Sequence, residues 1–406
     1  MSDSEFAHRP ETEHFAMEEA VTVLPILFNE TINDTDNIAD TSANSMVNTC
    51  DLEWQNYMKM VCLPCFLLVG LFGNTVSFLV MSSVTYRRKS YSYYLRALAV
   101  TDTLALLLIT VEDVNQITHH LGLLDRGILY AHTDVTCKLN VFSYHVVNVM
   151  SSWLVVCFTI DRYIAVCHPL YRARLCRERI AVQTIALLLL AVCASQSYHL
   201  VFVTHDAARP REPCFAYGTK EQAILYIELN YIWYNMTLLF GVPFVIMLAC
   251  NGRIICHISY MANIQTSEHH RQPKKVSLAI YTLYAVCFTF VITLLPNAVL
   301  SLIQYVTYML LHSFSLLCHL RQLSAPFQMI RLINYSCNFV LYGLTGRRFR
   351  LEAKEVLLSC KRCACSCRCR RCSDKTDSSC DEQDRNQNIY MHHQPFLRAP
   401  AEIHVK

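Results

Sequence analysis

Charged and amide side chains set inside long apolar stretches are the residues of this chain that could do chemistry. One stretch ends in Asp161-Arg162-Tyr163, and an earlier stretch contains Asp102. Burying a charge in an apolar environment is costly, so such residues generally pair with each other, bind an ion or line a functional cavity. The expected chemistry is therefore ion pairing, cation binding and hydrogen bonding. The Asp161–Arg162 pair is the element that the rest of the chain must position.

Long apolar helices must position these residues. The chain has 406 residues, of which 53% are hydrophobic and 17% charged, and its mean hydropathy is +0.26. A helix needs about 20 apolar residues to cross a hydrocarbon layer of about 30 Å, and a helix satisfies its own backbone polar groups there. Seven stretches meet this requirement, at roughly 58–83, 93–118, 135–165, 179–203, 226–256, 276–306 and 321–342.

The distribution of basic residues predicts the orientation. Basic clusters such as Arg87-Arg88-Lys89 and Arg347-Arg348 follow the first, third and seventh stretches, and another cluster precedes the sixth. Loops rich in Lys and Arg remain in the cytoplasm. We therefore expect an extracellular amino end, a cytoplasmic carboxyl end and seven crossings of the plasma membrane.

Composition divides the chain into four regions. Residues 1–56 form an acidic tail without helical or strand periodicity, which we expect to be disordered, extracellular and free of a cleaved signal peptide. Residues 57–343 contain the seven stretches. Apolar residues at helical spacing among basic ones predict an amphipathic helix at 344–359, on the inner membrane surface. Residues 360–406 form a cysteine-rich cytoplasmic tail.

A combination of motifs resembles the rhodopsin-like (class A) G-protein-coupled receptors over roughly 55–358. The residues that carry the resemblance are Asn74, Asp102, Cys137, Asp161-Arg162-Tyr163, Pro243, Pro296 and Asn338…Tyr342. The ending Asn338-Phe339-Val340-Leu341-Tyr342 is similar to that of invertebrate neuropeptide receptors of the FMRFamide and myosuppressin kind. The resemblance implies an all-α seven-transmembrane bundle with a short eighth helix, and a protein that activates heterotrimeric G proteins without catalysis of its own.

The resemblance also implies which residues reach the G protein. Asp161, Arg162, Tyr163 and Tyr342 occupy the positions through which the family couples to it. In the simpler alternative, the Asp161–Arg162 salt bridge only anchors the end of a helix. The family's second ionic lock needs an acid near Lys275. Because that acid is absent, we expect measurable basal activity.

Five polar residues match a cavity that holds sodium and water in the family. They are Asn74, Asp102, Ser151, Asn334 and Asn338. All carry oxygen, which suits a hard cation. The alternative is a set of structural hydrogen bonds between neighbouring helices. We expect no other metal or cofactor.

The resemblance implies one disulfide and leaves a second open. Cys137 lies 25 positions before Arg162, the interval at which the family has a cysteine bridged to its second outer loop. In the corresponding loop here, the cysteine is Cys214. Cys50 and Cys318 could form a second bridge, but their geometry cannot be read from the sequence.

Two family departures narrow the ligand class. Tyr144 stands where amine receptors have an aspartate, and 321–342 lacks the lysine that attaches retinal. An extracellular peptide, with an amidated end, is the preferred ligand. The alternatives are a lipid or other small molecule, or a constitutively active receptor. A transporter would predict inverted repeats, which the sequence lacks.

Several side chains are candidates for lining the ligand cavity. They are Glu112, Asp113, Tyr144, His145, Asn148, Asn297, Gln328 and Arg331. We expect Arg331 to pair either with Glu112 or Asp113, or with a carboxylate of the ligand. The aromatic and polar residues of the third stretch could instead be core packing.

Prolines predict where the helices bend. Pro243 should loosen the fifth stretch and support a bulge, and Pro296 should kink the sixth and let its inner half swing outward. Leu294 replaces the tryptophan that most family members have near this kink.

The two tails contain candidate modification sites. Asn29 and Asn33 begin acceptor triplets for glycosylation, although such triplets also arise by chance. Cys360, Cys363 and Cys365 lie among basic residues beside the membrane, which favours palmitoylation over a zinc site. Serines near Ser373 could be phosphorylated by receptor kinases and recruit arrestin. The expected partners also include membrane lipids, but no nucleic acid.

Overall fold

The computed structural model describes residues 14–16, 53–121, 133–205, 214–267, 274–311, 313–346 and 348–358. Most of these residues are helical, as the sequence predicts. The helices are α1 (Glu53–Ser82), α2 (Ser90–His120), α3 (Asp134–Cys167), α4 (Pro169–Leu175), α5 (Glu178–Gln196), α6 (Tyr198–Phe202), α7 (Lys220–Glu228), α8 (Val242–Ser267), α9 (Lys274–Val306), α10 (Phe314–Gln322), α11 (Ser324–Ser336) and α12 (Asn338–Thr345).

Six helical segments of the described residues are long and apolar enough to cross a membrane. They are Trp54–Ser82, Ser90–Asn115, Asp134–Cys167, Glu178–Phe202, Glu221–Met261 and Cys287–Leu311. We number these segments as spans one to six. The seventh predicted stretch is also helical, but it is divided into α10, α11 and α12, each too short to cross by itself. We call this divided stretch span seven.

Local chemistry explains the two breaks in the seventh span. Pro326 has no N–H to donate to the carbonyl of Gln322, so the regular helix is interrupted at Leu323. At the second break, the Asn338 side chain donates to the Asn334 carbonyl at 3.3 Å. A side chain that bonds to the backbone in this way competes with helical hydrogen bonding. The seventh span therefore bends beside Asn338.

The spans form a closed bundle with the third at its centre. Span one packs on spans two and seven, span three packs on spans two, four and five, and span six packs on spans five and seven. In span three, 72% of the most apolar segment is buried inside the protein, whereas in span four the buried share is 17%. Span three therefore positions the functional residues, whereas span four mainly presents apolar side chains outward.

Prolines alter the helices of spans five and six. Leu229–Gly241, directly before Pro243, is π-helical, and the Val242 N–H donates to Thr237, five residues earlier. A prolyl nitrogen cannot donate a hydrogen bond, so the regular α-helix α8 begins beside Pro243 and does not extend back into the π-helical segment. Pro296 lies inside α9, which extends into a second π-helical segment, Thr307–Leu311.

A small sheet packs against the amino-terminal end of span three. Strand β2 (Val203–His205) pairs antiparallel with β3 (Cys214–Tyr217), and β1 (His14–Ala16) pairs with the other edge of β3. β1 belongs to the region predicted to lack regular structure. The open edge of β3 explains this difference, because unpaired backbone groups at a strand edge accept an added extended segment.

The chain forms two compact units, Met1–Arg350 and Leu351–Lys406, and all spans belong to the first. Residues 348–358 are helical, with the less exposed positions Phe349, Ala353 and Val356 at helical spacing. This pattern has the amphipathic character predicted for 344–359. Other predictions concern residues that lie outside the described ranges: Asn29, Asn33, Cys50, Cys360, Cys363, Cys365 and Ser373.

Candidate functional site

Asp161 forms the centre of a polar cluster at the carboxyl-terminal end of span three. Its carboxylate accepts hydrogen bonds from the Nε and Nη2 atoms of Arg162, with Nε at 3.2 Å. Its other oxygen accepts from the Ser90 hydroxyl at 2.5 Å. Asp161 is buried, whereas the Arg162 side chain is 28% exposed. The carboxylate is thus held from two sides, and part of the guanidinium remains open to a partner.

Aromatic side chains complete this cluster. The Arg162 guanidinium lies over the Tyr91 ring, 4.2 Å from its centroid, which is a favourable cation–π distance. The Tyr163 hydroxyl lies 3.0 Å from the Nε2 atom of His168. Sequence reasoning missed Ser90 and Tyr91, since they begin span two, far along the chain from the pair they contact.

Tyr342 lies near this end of the bundle on α12. Its side chain is buried, and its ring contacts Phe349 with centroids 5.8 Å apart. Among the described residues, its hydroxyl has no hydrogen-bond partner. Tyr342 therefore does not join the Asp161 cluster in this conformation.

Positive charge is concentrated around Lys89, in the loop between spans one and two. Partial burial, followed by the nearby charges of Arg348, Arg162 and Arg172, lowers the pKa of Lys89. Four cations thus lie together at this end of the bundle. Such a surface attracts a negatively charged partner.

The polar residues in the middle of the bundle converge on Asp102. The carboxylate accepts from the Ser151 hydroxyl at 2.5 Å and from the Asn338 amide at 2.6 Å. Asn334 contributes its backbone carbonyl, which accepts from the Asn338 amide. Asp102 is fully buried, and both of these hydrogen-bond donors are neutral. This cluster joins spans two, three and seven.

Asn74 of span one belongs to the same region. Its amide donates to the Tyr335 carbonyl at 3.1 Å, while its Oδ1 atom is buried without a hydrogen-bond partner among the described residues. The five predicted oxygen-bearing residues are all buried. Within the described part of the chain, this set offers one unsatisfied oxygen and one carboxylate without a cationic partner, which fits a hard cation.

Arg331 is buried in the outer half of the bundle and contacts Tyr144. Its Nη2 atom donates to the Tyr144 hydroxyl at 2.6 Å, and its Nε atom has no hydrogen-bond partner among the described residues. The predicted pairing of Arg331 with Asp113 is wrong. Asp113 instead forms a buried ion pair with Lys59 at 2.8 Å, because α1 brings that lysine to span two.

One other predicted cavity residue, Gln328, contacts this ion pair. The Gln328 amide donates to Asp113 at 3.4 Å. Glu112 and Asn297 are partly exposed, and the Glu112 side chain is not without an interaction partner. Lys59 was missed because it lies at the margin of the first apolar stretch, where a charge is expected to reach water.

Asn148 links three spans beneath Arg331. Its Oδ1 atom accepts from the Tyr335 hydroxyl at 2.9 Å, and its amide donates to the Tyr234 hydroxyl at 3.2 Å. Tyr335 also supplies the carbonyl bound by Asn74. These hydrogen bonds therefore join spans three, five and seven, and Tyr335 also connects them to span one.

The outer loop is covalently attached to span three. Cys137 and Cys214 form a disulfide with their Cα atoms 5.6 Å apart, which confirms the predicted bond. Asp134 adds a second connection, since its carboxylate accepts from Thr204 and from the backbone of His205. Cys318 is also disulfide-bonded. Its predicted partner Cys50 lies outside the described residues, so that pairing stays a prediction.

The comparisons with known proteins agree with this arrangement. Residues 73–342 match the family described as 7 transmembrane receptor (rhodopsin family). The chain belongs to this family. It is therefore a multi-pass membrane receptor, and, like the family, it is a signalling protein rather than an enzyme.

The individual relatives have low identity to this chain or match only a short part of it, and they are named as receptors of different kinds. The chain is 22% identical to cysteinyl leukotriene receptor 1 of Mus musculus over 80% of its length and 88% of the relative's. It is 21% identical to the tachykinin-like peptides receptor 86C of Drosophila melanogaster over 76% and 60%, respectively. It is 32% identical to the neuromedin U receptor homolog nmur-2 of Caenorhabditis elegans, over only 25% and 24%.

Proposed function

We propose that this receptor binds an extracellular peptide and activates a heterotrimeric G protein through Arg162. The observation that carries the proposal is the arrangement of Arg162 at the cytoplasmic end of the central span. Its guanidinium is paired with Asp161, supported by Tyr91 and still partly exposed. Ser90 holds the carboxylate from the other side. This is a resting arrangement that can open without unfolding the bundle.

Activation releases Arg162 from Asp161. The Pro296 kink allows the inner half of span six to move outward, which opens the cytoplasmic mouth. The freed guanidinium then meets the carboxyl terminus of the G protein, and the cations around Lys89 attract that segment. The ligand drives this change only through a higher affinity for the open state, since equal affinity for both states shifts nothing.

The buried charges of the outer half support a peptide as ligand. The Arg331 Nε donor lacks a partner among the described residues, and the Lys59–Asp113 pair lies in the neighbouring region. A peptide offers carbonyl oxygens for the guanidinium and an amidated end for the carboxylates. Two relatives are named for peptides, the tachykinin-like peptides receptor and the neuromedin U receptor homolog.

A lipid or another small anionic molecule is the second candidate. The same Arg331 donor would bind a carboxylate or phosphate, and other relatives are named as a cysteinyl leukotriene receptor and a purinoceptor. The two candidates differ in what they contact. A peptide long enough to reach the outer sheet should depend on the β2–β3 hairpin, whereas a small ligand should depend on Arg331 alone.

The test is a calcium-release screen of amidated neuropeptides, lipids and nucleotides in cells that express the chain with a promiscuous G protein. We expect a response to a peptide at nanomolar to micromolar concentration, and no response from the Arg162→Ala variant at equal surface density. Arg179→Ala, which removes an exposed cation outside the group around Lys89, is the matched control and should respond normally. Responses to lipids or nucleotides only would overturn the peptide assignment.

We also propose that the Asp102 cluster binds sodium. The carboxylate, the Ser151 hydroxyl and the unsatisfied Asn74 oxygen would hold the ion, and the ion would stabilise the resting state. Beyond the bundle, we propose a plasma-membrane location with the amino end outside. Palmitate on the tail cysteines and phosphorylation by receptor kinases, followed by arrestin binding, complete the proposed partners.

A further inference from the structure

Two histidines from different spans stack against each other in the core. The ring centroids of His145 (span three) and His199 (span four) lie 3.8 Å apart, with the ring planes tilted by 34°. His145 is 5% exposed and His199 is fully buried. A stack this close requires that at least one imidazole be neutral, because two imidazolium ions would repel each other without intervening water.

Hydrogen bonds to the Nδ1 atoms keep both rings in place. Nδ1 of His145 lies 2.8 Å from the Val141 carbonyl, and Nδ1 of His199 lies 3.1 Å from the Tyr226 hydroxyl. A carbonyl only accepts, so Nδ1 of His145 carries the proton and donates it. The Nε2 atom of His199 is buried without a hydrogen-bond partner among the described residues. Protonation of that nitrogen would therefore require a water molecule or another hydrogen-bond acceptor beside it.

The surrounding groups disfavour a positive charge here. The rings that face the pair are phenols from spans three, four and five, namely Tyr144, Tyr198, Tyr226 and Tyr234. The Arg331 guanidinium lies nearby, since it donates to Tyr144, whose ring centroid is 5.0 Å from that of His145. Among the described residues, neither histidine forms an ion pair with a carboxylate. The packed arrangement therefore exists with both imidazoles neutral.

We propose that His145 and His199 form a proton-binding site that makes this receptor responsive to acid. Imidazole in water takes up a proton near pH 6.5, whereas a proton on the packed pair would place a buried cation among neutral phenol rings. Fewer protons are bound in the packed state than in a hydrated state, so the packed state prevails above about pH 6.5 and weakens as the pH falls below it. The ligand of this site is the proton itself.

The site is placed where packing affects the rest of the receptor. His199 is in the short helix α6, which leads directly into β2 of the outer hairpin. His145 is one helical turn from Asn148, which ties span three to Tyr335 and Tyr234. Separation of the rings therefore loosens both the hairpin attachment and the hydrogen bonds of Asn148 to Tyr335 and Tyr234. Because the packed pair occurs together with the closed Asp161–Arg162 pair, acid should raise basal signalling.

The first test measures stability and does not depend on G-protein coupling. Purified full-length protein in lipid nanodiscs, with EDTA to remove transition metals, is heated at pH 7.4 and at pH 6.0. We expect the wild type to unfold at a lower temperature at pH 6.0. The His145→Phe/His199→Phe variant keeps two stacked neutral rings and should lose this difference. His319→Gln, which removes an exposed outer histidine, should keep it.

Each result of the stability test decides the proposal. If the wild type is equally stable at both pH values, or if the double Phe variant keeps the pH difference, the proton site is refuted. If the double variant does not fold, the single variants His145→Phe and His199→Phe serve instead, and each should halve the effect. A single variant that keeps the full difference between the two pH values would show that the replaced histidine has no role in it.

The second test measures basal nucleotide exchange on an added G protein, and it rests on the proposed function. Between pH 7.4 and 6.0 the linkage predicts an increase of about fourfold if one imidazole becomes hydrated, and about 14-fold if both do. A pH-dependent stability with pH-independent exchange would overturn the acid activation while retaining the proton site. The coupling itself is judged separately, at constant pH, by the loss of exchange in Arg162→Ala.

Discussion

Two buried aspartates of the bundle have opposite electrostatic environments. Asp161, at the carboxyl-terminal end of span three, is paired with the Arg162 guanidinium and a serine hydroxyl. Asp102, in the middle of the bundle, is more deeply buried and, within the described part of the chain, accepts only from a hydroxyl and an amide. The charge of Asp161 is therefore balanced within the protein, whereas Asp102 needs a cation or a proton from outside.

The different environments of Asp161 and Asp102 give the same type of side chain two purposes in one fold. A balanced carboxylate forms a contact that movement can open, since Arg162 can exchange Asp161 for another partner. An unbalanced carboxylate forms a site whose occupancy depends on the solution. Asp113 is also a balanced carboxylate, because it pairs with Lys59 at 2.8 Å. Unlike Asp161 and Arg162, both residues of this pair are buried.

The largest effect should come from breaking the fully buried pair. Lys59→Met leaves the Asp113 charge buried without its cation, which should lower the free energy of unfolding by about 3–5 kcal/mol. Thermal unfolding of purified protein measures this. Lys138→Met removes the exposed partner of Asp134 and should cost less than about 1 kcal/mol. The Lys59→Met/Asp113→Leu variant should recover most of the loss; no recovery would contradict the assignment.

Removing one support of Asp161 should produce a smaller but directed effect. Ser90→Ala deletes a hydrogen bond to a charged group, worth about 1.5–3 kcal/mol, and weakens the resting state. Basal nucleotide exchange should rise by about tenfold, which corresponds to about 1.4 kcal/mol of that loss. Ser92→Ala is the control, since the buried Ser92 hydroxyl has no hydrogen-bond partner among the described residues. Equal exchange by wild type and Ser90→Ala would argue against the lock.

Sodium should distinguish the two aspartates. At ten times its dissociation constant, a bound ion stabilises the native state by about 1.4 kcal/mol. Replacing choline chloride by sodium chloride should therefore raise the unfolding temperature of the wild type but leave Asp102→Asn unchanged. Asp161→Asn should keep the sodium response. A response that survives in Asp102→Asn would place the ion elsewhere.

The smallest effect should come from the ring that lies against Arg162. Tyr91→Leu removes a cation–π contact worth about 0.5–1 kcal/mol at an exposed site, and should raise basal exchange about two- to fivefold. Tyr91→Phe keeps the aromatic face and should behave as the wild type. If the Phe and Leu variants are equally active, the hydroxyl rather than the ring is responsible.

Spacing along the chain predicted much of the fold. Apolar runs of membrane length identified all seven helical regions, and the resemblance to the receptor family, in which a cysteine stands 25 positions before the arginine, implied the disulfide between Cys137 and Cys214. The interruption of the seventh span was harder to foresee. It depends on Pro326 and on the Asn338 side chain, whose competing hydrogen bond becomes apparent only in three dimensions.

Contacts between distant spans could not be predicted from residue types. Arg331 was expected to pair with Glu112 or Asp113, or with a carboxylate of the ligand, and the packing of span one places Lys59 against Asp113. The same limit hid Ser90 and Tyr91, which are ordinary residues until the fold brings them to the Asp161–Arg162 pair. His199 carried no signal either, because its significance comes from its stacking on His145.

The central claim is that Arg162, released from Asp161, activates the G protein. The most direct measurement compares ligand-free nucleotide exchange by Ser90→Ala and by Ser90→Ala/Arg162→Ala in nanodiscs, at equal receptor concentration. The account predicts that the first variant exceeds the wild type and that the second falls to the rate of the G protein alone. Exchange that remains raised without Arg162 would contradict it.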